Sequence, residues 1–131
     1  TDNAVIVTSA AGKIEWVNDG FVKITGWTLD EVKGRSPGSF LQGPETDPKT
    51  VAYMTSQIRA GKGFRCDILN YNKSGKRYWL ALEVQPLLDA NGNLANFMAI
   101  ESDITQQRQD QHGGDREGPE HAGGDRRGGG C

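Results

Sequence analysis

Few residues in the body of this 131-residue chain are of types that do covalent chemistry. Both histidines, His112 and His121, lie in a glycine-rich C-terminal stretch, and the cysteine Cys131 is the last residue. The other cysteine, Cys66, lies in a strand-like segment, where a cysteine is more often a small buried hydrophobe than a redox thiol. A nucleophile paired with histidine, or haem held by histidine, is therefore not expected in the body. We predict no catalytic and no metal-binding residues.

Hydrogen bonding to a small molecule is the chemistry that the remaining polar residues could perform. In the second half of the chain, hydrophobicity alternates with a period of two, so that alternate side chains share one face of a sheet. One such face carries two polar groups, Asn70 and Glu101, among apolar neighbours. Those neighbours are Cys66, Ile68, Leu80, Leu82, Val84, Phe97 and Ala99. They suit the wall of a ligand pocket, but we expect them by default to fill the space themselves.

Strands and short helices position this face. The strand patterns are followed or joined by turn sequences that contain glycine, such as Asn72-Lys73-Ser74-Gly75 and Asp89-Ala90-Asn91-Gly92. Two strands, then short helices, then three strands predict an α+β domain with a five-stranded antiparallel sheet, one face of which is covered by helices. The predicted strands are Ala4–Val7, Ile14–Val17, Phe64–Tyr71, Arg77–Leu88 and Leu94–Thr105.

Capping residues predict where the helices begin. Asn18 or Asp19 can cap a first short helix, and Thr28 with Glu31 forms a capping box for a second. Asp47 followed by proline predicts a longer helix that runs through Arg59. Its apolar residues are spaced for one buried face, and they are Val51, Met54 and Ile58.

Composition limits the broad class of protein. The net charge of −2 argues against a nucleic-acid surface or contact with an anionic membrane. No apolar run approaches the length of a membrane span, and the first residues lack the pattern of a signal peptide, so we predict a cytoplasmic protein. Residues 1–105 are predicted to form one domain. Residues 106–131 are rich in glycine and nearly free of apolar side chains, and we expect them to form a disordered tail.

Three motifs in order carry a family resemblance. They are Ser39-Phe40-Leu41-Gln42-Gly43-Pro44-Glu45-Thr46-Asp47-Pro48, then Leu69-Asn70-Tyr71-Asn72-Lys73-Ser74-Gly75-Lys76-Arg77-Tyr78-Trp79, then Asp103-Ile104-Thr105. The chain from Ala4 to Thr105 resembles the PAS sensor family, and within it the light-oxygen-voltage (LOV) branch that binds flavin. The resemblance implies a sensory domain of a bacterial signalling protein.

The same resemblance implies that the photochemistry of this branch is lost. LOV domains carry a cysteine just before the Phe-Leu-Gln segment, and it forms an adduct with flavin in light. Here the stretch Gly34–Gln42 is one residue longer and contains no cysteine. The resemblance implies that the two arginines that bind the flavin phosphate in the family are replaced by Ser39 and by Thr55 or a neighbouring residue that is not arginine. Each missing charge-assisted hydrogen bond removes roughly 1.5–3 kcal/mol.

The positions that contact the flavin ring are only partly kept. The resemblance implies that Gln42 and Asn70 match contact positions, whereas Leu80 replaces a second asparagine and Glu101 replaces a glutamine. Burying an ionised Glu101 would cost several kcal/mol. With Leu82 and Phe97, these six residues are the predicted binding site. We expect no cofactor; FAD or FMN is the alternative, and a small apolar or organic-acid ligand stays open.

The predicted function is that of a sensory and interaction module rather than an enzyme. A signal would pass through Asp103, Ile104 and Thr105 to a C-terminal output domain of the histidine kinase or cyclase type. The face opposite the pocket, with Trp79, Met98 and Ile100, is predicted to form a homodimer or to bind a helix of the parent protein. The alternative function is a flavin-binding redox or light sensor that works without a cysteine adduct.

Overall fold

The computed structural model describes residues 3–109 of the chain. Helices and strands follow in the order β1 (Ala4–Ser9), β2 (Ile14–Val17), α1 (Asp19–Thr25), α2 (Leu29–Val32), α3 (Gly38–Leu41), α4 (Pro48–Arg59), β3 (Phe64–Tyr71), β4 (Arg77–Leu88) and β5 (Leu94–Asp103). A helical turn, α5 (105–109), follows β5.

The strands form one five-stranded sheet in the order β2-β1-β5-β4-β3. Every neighbouring pair is antiparallel. The chain enters at β1, and the last strand, β5, pairs with it in the middle of the sheet. The helices α1 to α4 lie between β2 and β3 in sequence and pack against one face of the sheet, here called the inner face. The predicted α+β fold is confirmed.

Local capping explains where the helices begin. The Asn18 side chain accepts a hydrogen bond from the Phe21 amide at 2.9 Å and another from the Val5 amide at 2.8 Å, so it both caps α1 and ties it to β1. Asp47 accepts from the Lys49 amide at 2.9 Å at the start of α4. The predicted long helix is confirmed. The sequence patterns missed α3, which has only four residues and no side-chain cap.

Two groups of buried apolar residues form the core. One lies between β3, β4 and β5 and the helix α4, and it includes Ile68, Leu80 and Phe97. The other lies between β1, β2 and the helices α1 to α3, and it includes Ile6 and Phe21. Buried positions alternate along most of β4 and β3, as the period of two predicted, with Leu69 as an additional buried residue on β3. Between the two groups the inner face is open to the cavity described below.

The folded chain continues past the predicted boundary at Thr105. Residues 105–109 are helical, and Arg108 contacts the sheet, so the described fold extends a few residues past Thr105. The rest of the predicted tail, 110–131, including His112, His121 and Cys131, lies outside the described residues. Within 3–109, no helix is both long enough and apolar enough to cross a membrane.

Candidate ligand-binding site

A cavity of about 530 Å³ lies between the inner face of the sheet and the helices α3 and α4. The sheet contributes Ile6 and Thr8 from β1, Phe64, Ile68 and Asn70 from β3, Leu82 and Val84 from β4, and Phe97, Ala99 and Glu101 from β5. The expectation that these side chains fill the space themselves is wrong. The volume lies within the range of about 300–1,000 Å³ typical of small-molecule sites.

Two buried polar atoms of the cavity wall have no hydrogen-bond partner. Asn70 Oδ1 and Glu101 Oε1 are both inaccessible to solvent and unpaired within the described residues. Glu101 is 4 % exposed and Asn70 5 % exposed. A buried polar atom without a partner destabilises a fold by about 1–3 kcal/mol. A ligand that hydrogen-bonds to these two groups would remove that penalty.

Burial also changes the pKa values of two ionisable side chains in or beside this wall. It raises the pKa of Glu101 to about 7, because a carboxylate is poorly solvated there. Tyr78, on β4, is buried beside this wall, and its hydroxyl has no partner within the described residues either. Burial is the main cause that raises the pKa of Tyr78; the negative charge of Glu101 adds to it, and the Asn70 amide opposes it. The inner face therefore favours the neutral forms of both groups.

Helices α3 and α4 and the residues just before and after α3 form the opposite wall. Gln42 lines the cavity directly after α3, and its amide packs so closely on Gly38 that a Cβ there would lie 2.9 Å from Gln42 Nε2. Ser39 and Thr55, the positions at which the resemblance predicts the loss of two arginines, also line the cavity. Arg59, one helical turn beyond Thr55, lines it as well and is exposed. A cation is thus present at the cavity opening, at a position that the sequence patterns did not indicate.

Five of the six predicted binding residues line the cavity, namely Gln42, Asn70, Leu82, Phe97 and Glu101. The sixth, Leu80, does not. It is fully buried in the core group between β3, β4 and β5, so its side chain lies beneath the cavity wall. Cys66 also belongs to that core group and is not part of the wall.

The opposite, outer face of the sheet carries the three residues predicted to form an interface. Met98 lies across from Val7 on β1, and Ile100 lies across from Val5, and all four side chains are half-buried. Trp16 on β2 continues this apolar row and is 47 % exposed. Trp79 lies nearer the other edge, where the Arg108 guanidinium stacks 3.8 Å from its ring centre. Arg108 also pairs with Asp67 at 3.5 Å, so α5 contacts this face.

The predicted relay segment connects β5 to α5. The Ile104 amide donates to the Trp79 carbonyl at 2.9 Å, and the Trp79 amide donates to Thr105 Oγ1 at 2.9 Å. Asp103 Oδ1 accepts from the Thr105 amide at 2.9 Å. The three relay residues therefore fasten the outgoing chain to β4, the strand that carries Leu82 in the cavity wall.

Sequence reasoning missed three residues of this arrangement, which are Arg59, Tyr78 and Arg108. The helical spacing of Thr55 and Arg59 could have indicated the first, since residues four apart share a helix face. Tyr78 follows from strand parity, because it lies two residues before Leu80. Nothing in the polar sequence around Arg108 indicated a contact with Trp79. In the described part of the chain, no group of three or more His, Cys, Asp or Glu could hold a metal ion.

Comparison with known proteins agrees with the fold and the cavity. Residues 2–106 match the family model of the PAS domain. The chain belongs to the PAS domain family, whose members serve as sensory modules, and the predicted resemblance is confirmed.

The similar proteins include one named for activation by blue light and solved structures of light-oxygen-voltage (LOV) domains. A blue-light-activated histidine kinase of Brucella ovis is 44 % identical over 92 residues, which are 70 % of this chain and 19 % of that protein. The chain thus spans about a fifth of the length of such relatives. The light-state structure of the LOV domain of the blue-light photoreceptor aureochrome1 superposes with a TM-score of 0.75 at 29 % identity, covering 86 % of this chain and 90 % of that chain. A LOV domain structure concerned with a flavin analogue gives a TM-score of 0.76 at 29 % identity, covering 91 % and 90 %.

Proposed function

We propose that this domain binds a flavin in the cavity and uses it as a sensor without forming a cysteine adduct. The observation that carries the proposal is the polar part of the cavity wall, where Asn70 Oδ1 and Glu101 Oε1 are buried without a partner among the described residues. The family neighbours named for blue light and for a flavin analogue support the same ligand class. The sequence led us to expect no bound cofactor, with FAD or FMN as the alternative. The proposal adopts that alternative.

The residues present fit an isoalloxazine ring in most respects. Asn70 offers an acceptor to a ring N–H, and Gln42 offers an amide against Gly38. Apolar side chains, including Leu82 and Phe97, would cover the ring faces. When bound, the flavin would supply absorption of blue light and redox chemistry. The stretch from Ser36 to Ser39 that lines the cavity contains no sulfur, so a thiol adduct is not available there.

The phosphate of FMN or FAD would lie toward the cavity opening. Arg59 is the cation that lines the cavity there, with Ser39 and Thr55 as hydrogen-bond donors. With one arginine in place of two, we expect weaker binding of the phosphate than the family pattern implies, because each charge-assisted hydrogen bond is worth roughly 1.5–3 kcal/mol. We propose that Arg59 binds the phosphate and so partly substitutes for the two arginines of the family pattern.

A binding measurement tests the proposal. Purified protein, stripped of any bound small molecule, is titrated with riboflavin and with FMN, and binding is followed by quenching of flavin fluorescence. We expect saturable binding of both, and Asn70→Ala should weaken both. Arg59→Ala should weaken FMN about tenfold and leave riboflavin unchanged. Arg65→Ala, on the outer side of β3, is the matched control. Absence of saturable binding of either flavin would refute the proposal.

We further propose that the domain reports its state to a C-terminal output domain of the histidine kinase type in a cytoplasmic protein. The Brucella relative is named as a histidine kinase, and the present chain matches only a fifth of its length. The attachment of Ile104 and Thr105 to Trp79 provides a physical connection from the cavity wall to the outgoing chain. A homodimer through the row of Trp16, Met98 and Ile100 on the outer face is part of this proposal.

A further inference from the structure

Glu101 is the one acidic side chain among the described residues that line the cavity. Its neighbours across the sheet are apolar, with Ala4 opposite on β1 and Leu82 opposite on β4. No ion pair reaches it, and Oε1 has no hydrogen-bond donor within the described residues. The carboxyl group must therefore either carry a proton or remain ionised in an apolar wall.

The charged and titratable groups around Glu101 do not stabilise its ionised form. From β4 the facing group is Tyr78, whose hydroxyl is buried and unpaired within residues 3–109. On β5 itself the nearest is Asp103, two residues along, which is exposed. From α4 it is Arg59 at the cavity opening, whereas α3, Gln42 and the cavity-lining part of β1 contribute no charge. Burial is the cause that sets the proton affinity, and it brings the pKa to about 7.

We propose that Glu101 makes ligand binding dependent on pH: its protonated carboxyl donates a hydrogen bond to a ring acceptor of the ligand, and its ionised form excludes that ligand. The proposal rests on the proposed flavin function and deepens it. The ring nitrogens and carbonyl oxygens of an oxidised flavin are acceptors, and a carboxylate has no proton to give them. A glutamine donates at every pH, so a glutamate at this position turns a constant contact into one that depends on a proton.

The thermodynamic linkage between proton binding at Glu101 and ligand binding gives the size of the expected change in affinity with pH. If the ligand binds only to the protonated form, its affinity falls about tenfold for each pH unit above the pKa of Glu101 and levels off below it. Riboflavin is the proper probe, because the phosphate of FMN titrates near about pH 6 and would add a slope of its own. The dissociation constant is measured from about pH 5.5 to 8.5, on both sides of that pKa, by fluorescence quenching.

Two variants distinguish the titration of Glu101 from the titration of other carboxyl groups. Glu101→Gln keeps the size of the side chain and removes the titrating proton, so its riboflavin affinity should be independent of pH and should exceed that of the unmodified protein by about tenfold or more at the alkaline end of the range. Glu83→Gln, on the outer face of β4, is the control and should keep the original slope. Circular dichroism at each pH shows that all three proteins remain folded over the range.

A second readout needs no ligand. The side-chain carboxyl carbon of Glu101, followed by NMR in the ligand-free protein, should titrate with a midpoint near 7. A midpoint near 4.5, a flat riboflavin affinity in the unmodified protein, or an unchanged slope in Glu101→Gln would each overturn the proposal while flavin binding itself stands. Absence of riboflavin binding by both proteins at every pH would refute the flavin function, and this linkage with it.

Discussion

The two faces of the sheet differ in what surrounds their polar side chains. On the outer face, Asp67 pairs with Arg108, and Arg108 stacks on Trp79, although Arg108 Nε is buried without a partner among the described residues. On the inner face, Asn70 and Glu101 line a cavity and leave buried atoms unpaired within the described chain. Unpaired buried groups reduce stability, whereas surface ion pairs change it little. The unpaired groups of the inner face lie beside open space that a ligand can fill, whereas the unpaired Arg108 Nε lies within a contact that α5 already makes with the outer face.

The largest effect is expected from the core beneath the cavity. Leu80→Ala should lower the free energy of unfolding by about 2–5 kcal/mol, because the side chain is fully buried and the space it leaves cannot collapse completely. Urea denaturation of the ligand-free protein measures this change. Leu88→Ala, at a side chain that is 61 % exposed, is the control and should stay within about 0.5 kcal/mol. A small loss for Leu80→Ala would mean that Leu80 lies in the cavity wall after all.

The second largest effect is expected in the pH dependence of the free energy of unfolding, to which Glu101 on the inner face should contribute and Glu83 on the outer face should not. The pKa of Glu101 is raised from 4.5 to about 7 in the folded state, so the folded protein holds this proton more tightly than the unfolded chain. The stabilisation is complete below pH 4.5 and is lost as the pH rises through 7, by about 1.4 kcal/mol per unit across that window. Glu101→Gln should remove this part of the pH dependence, as measured by denaturation at a series of pH values. Glu83→Gln on the outer face should leave it in place.

Self-association tests the outer face. Met98→Glu places a charge in the apolar row with Val7 and Trp16, and it should weaken a homodimer about tenfold or more without a comparable loss of stability. Sedimentation equilibrium of both proteins gives the two dissociation constants. The control is Gln85→Glu, at the exposed residue opposite Met98 on β4. A monomer at high concentration before and after the Met98 substitution would exclude a dimer on this face.

The smallest effect is expected at the C-terminal turn. Arg108→Gln removes the stacking on Trp79 and the ion pair with Asp67, contacts that together stabilise α5 by about 1 kcal/mol. Hydrogen exchange at residues 105–109 should become several-fold faster, while exchange in β3 and β4 stays the same. Arg77→Gln, which breaks an exposed ion pair with Glu45, is the control. Equal exchange at α5 in all three proteins would show that the contacts of Arg108 do not hold the turn.

Much of the inner face could be predicted because strand alternation is a geometric rule. It assigns Asn70, Leu82, Phe97 and Glu101 to one side of the sheet, and all four line the cavity. It could not show that Leu80 lies below the wall, since depth depends on how α4 and its neighbours pack above the strands. The cavity itself also escaped prediction, because whether apolar side chains close a space depends on helix positions that periodicity does not specify.

Short-range signals had similar limits. Caps at Asn18 and Asp47 predicted α1 and α4, because the hydrogen bonds involved span only two or three residues. The four residues of α3 have no such signal, although α3 and the residues around it form part of the cavity wall. The contact of Arg108 with Trp79 joins residues far apart in sequence, and no local pattern reports it.

The fastening of the outgoing chain has a mechanical consequence. Two hydrogen bonds, from the Ile104 amide to the Trp79 carbonyl and from the Trp79 amide to Thr105 Oγ1, join the end of β5 to β4. Tension that pulls residues 105–109 off the sheet from their C-terminal end would load the Arg108 contacts with Trp79 and Asp67 first. The Thr105 bond would be loaded next and the Ile104 bond last. Contacts that break one after another require less force than the same contacts broken at once. A segment attached after Thr105 could therefore peel away and rejoin repeatedly while the buried core keeps its shape.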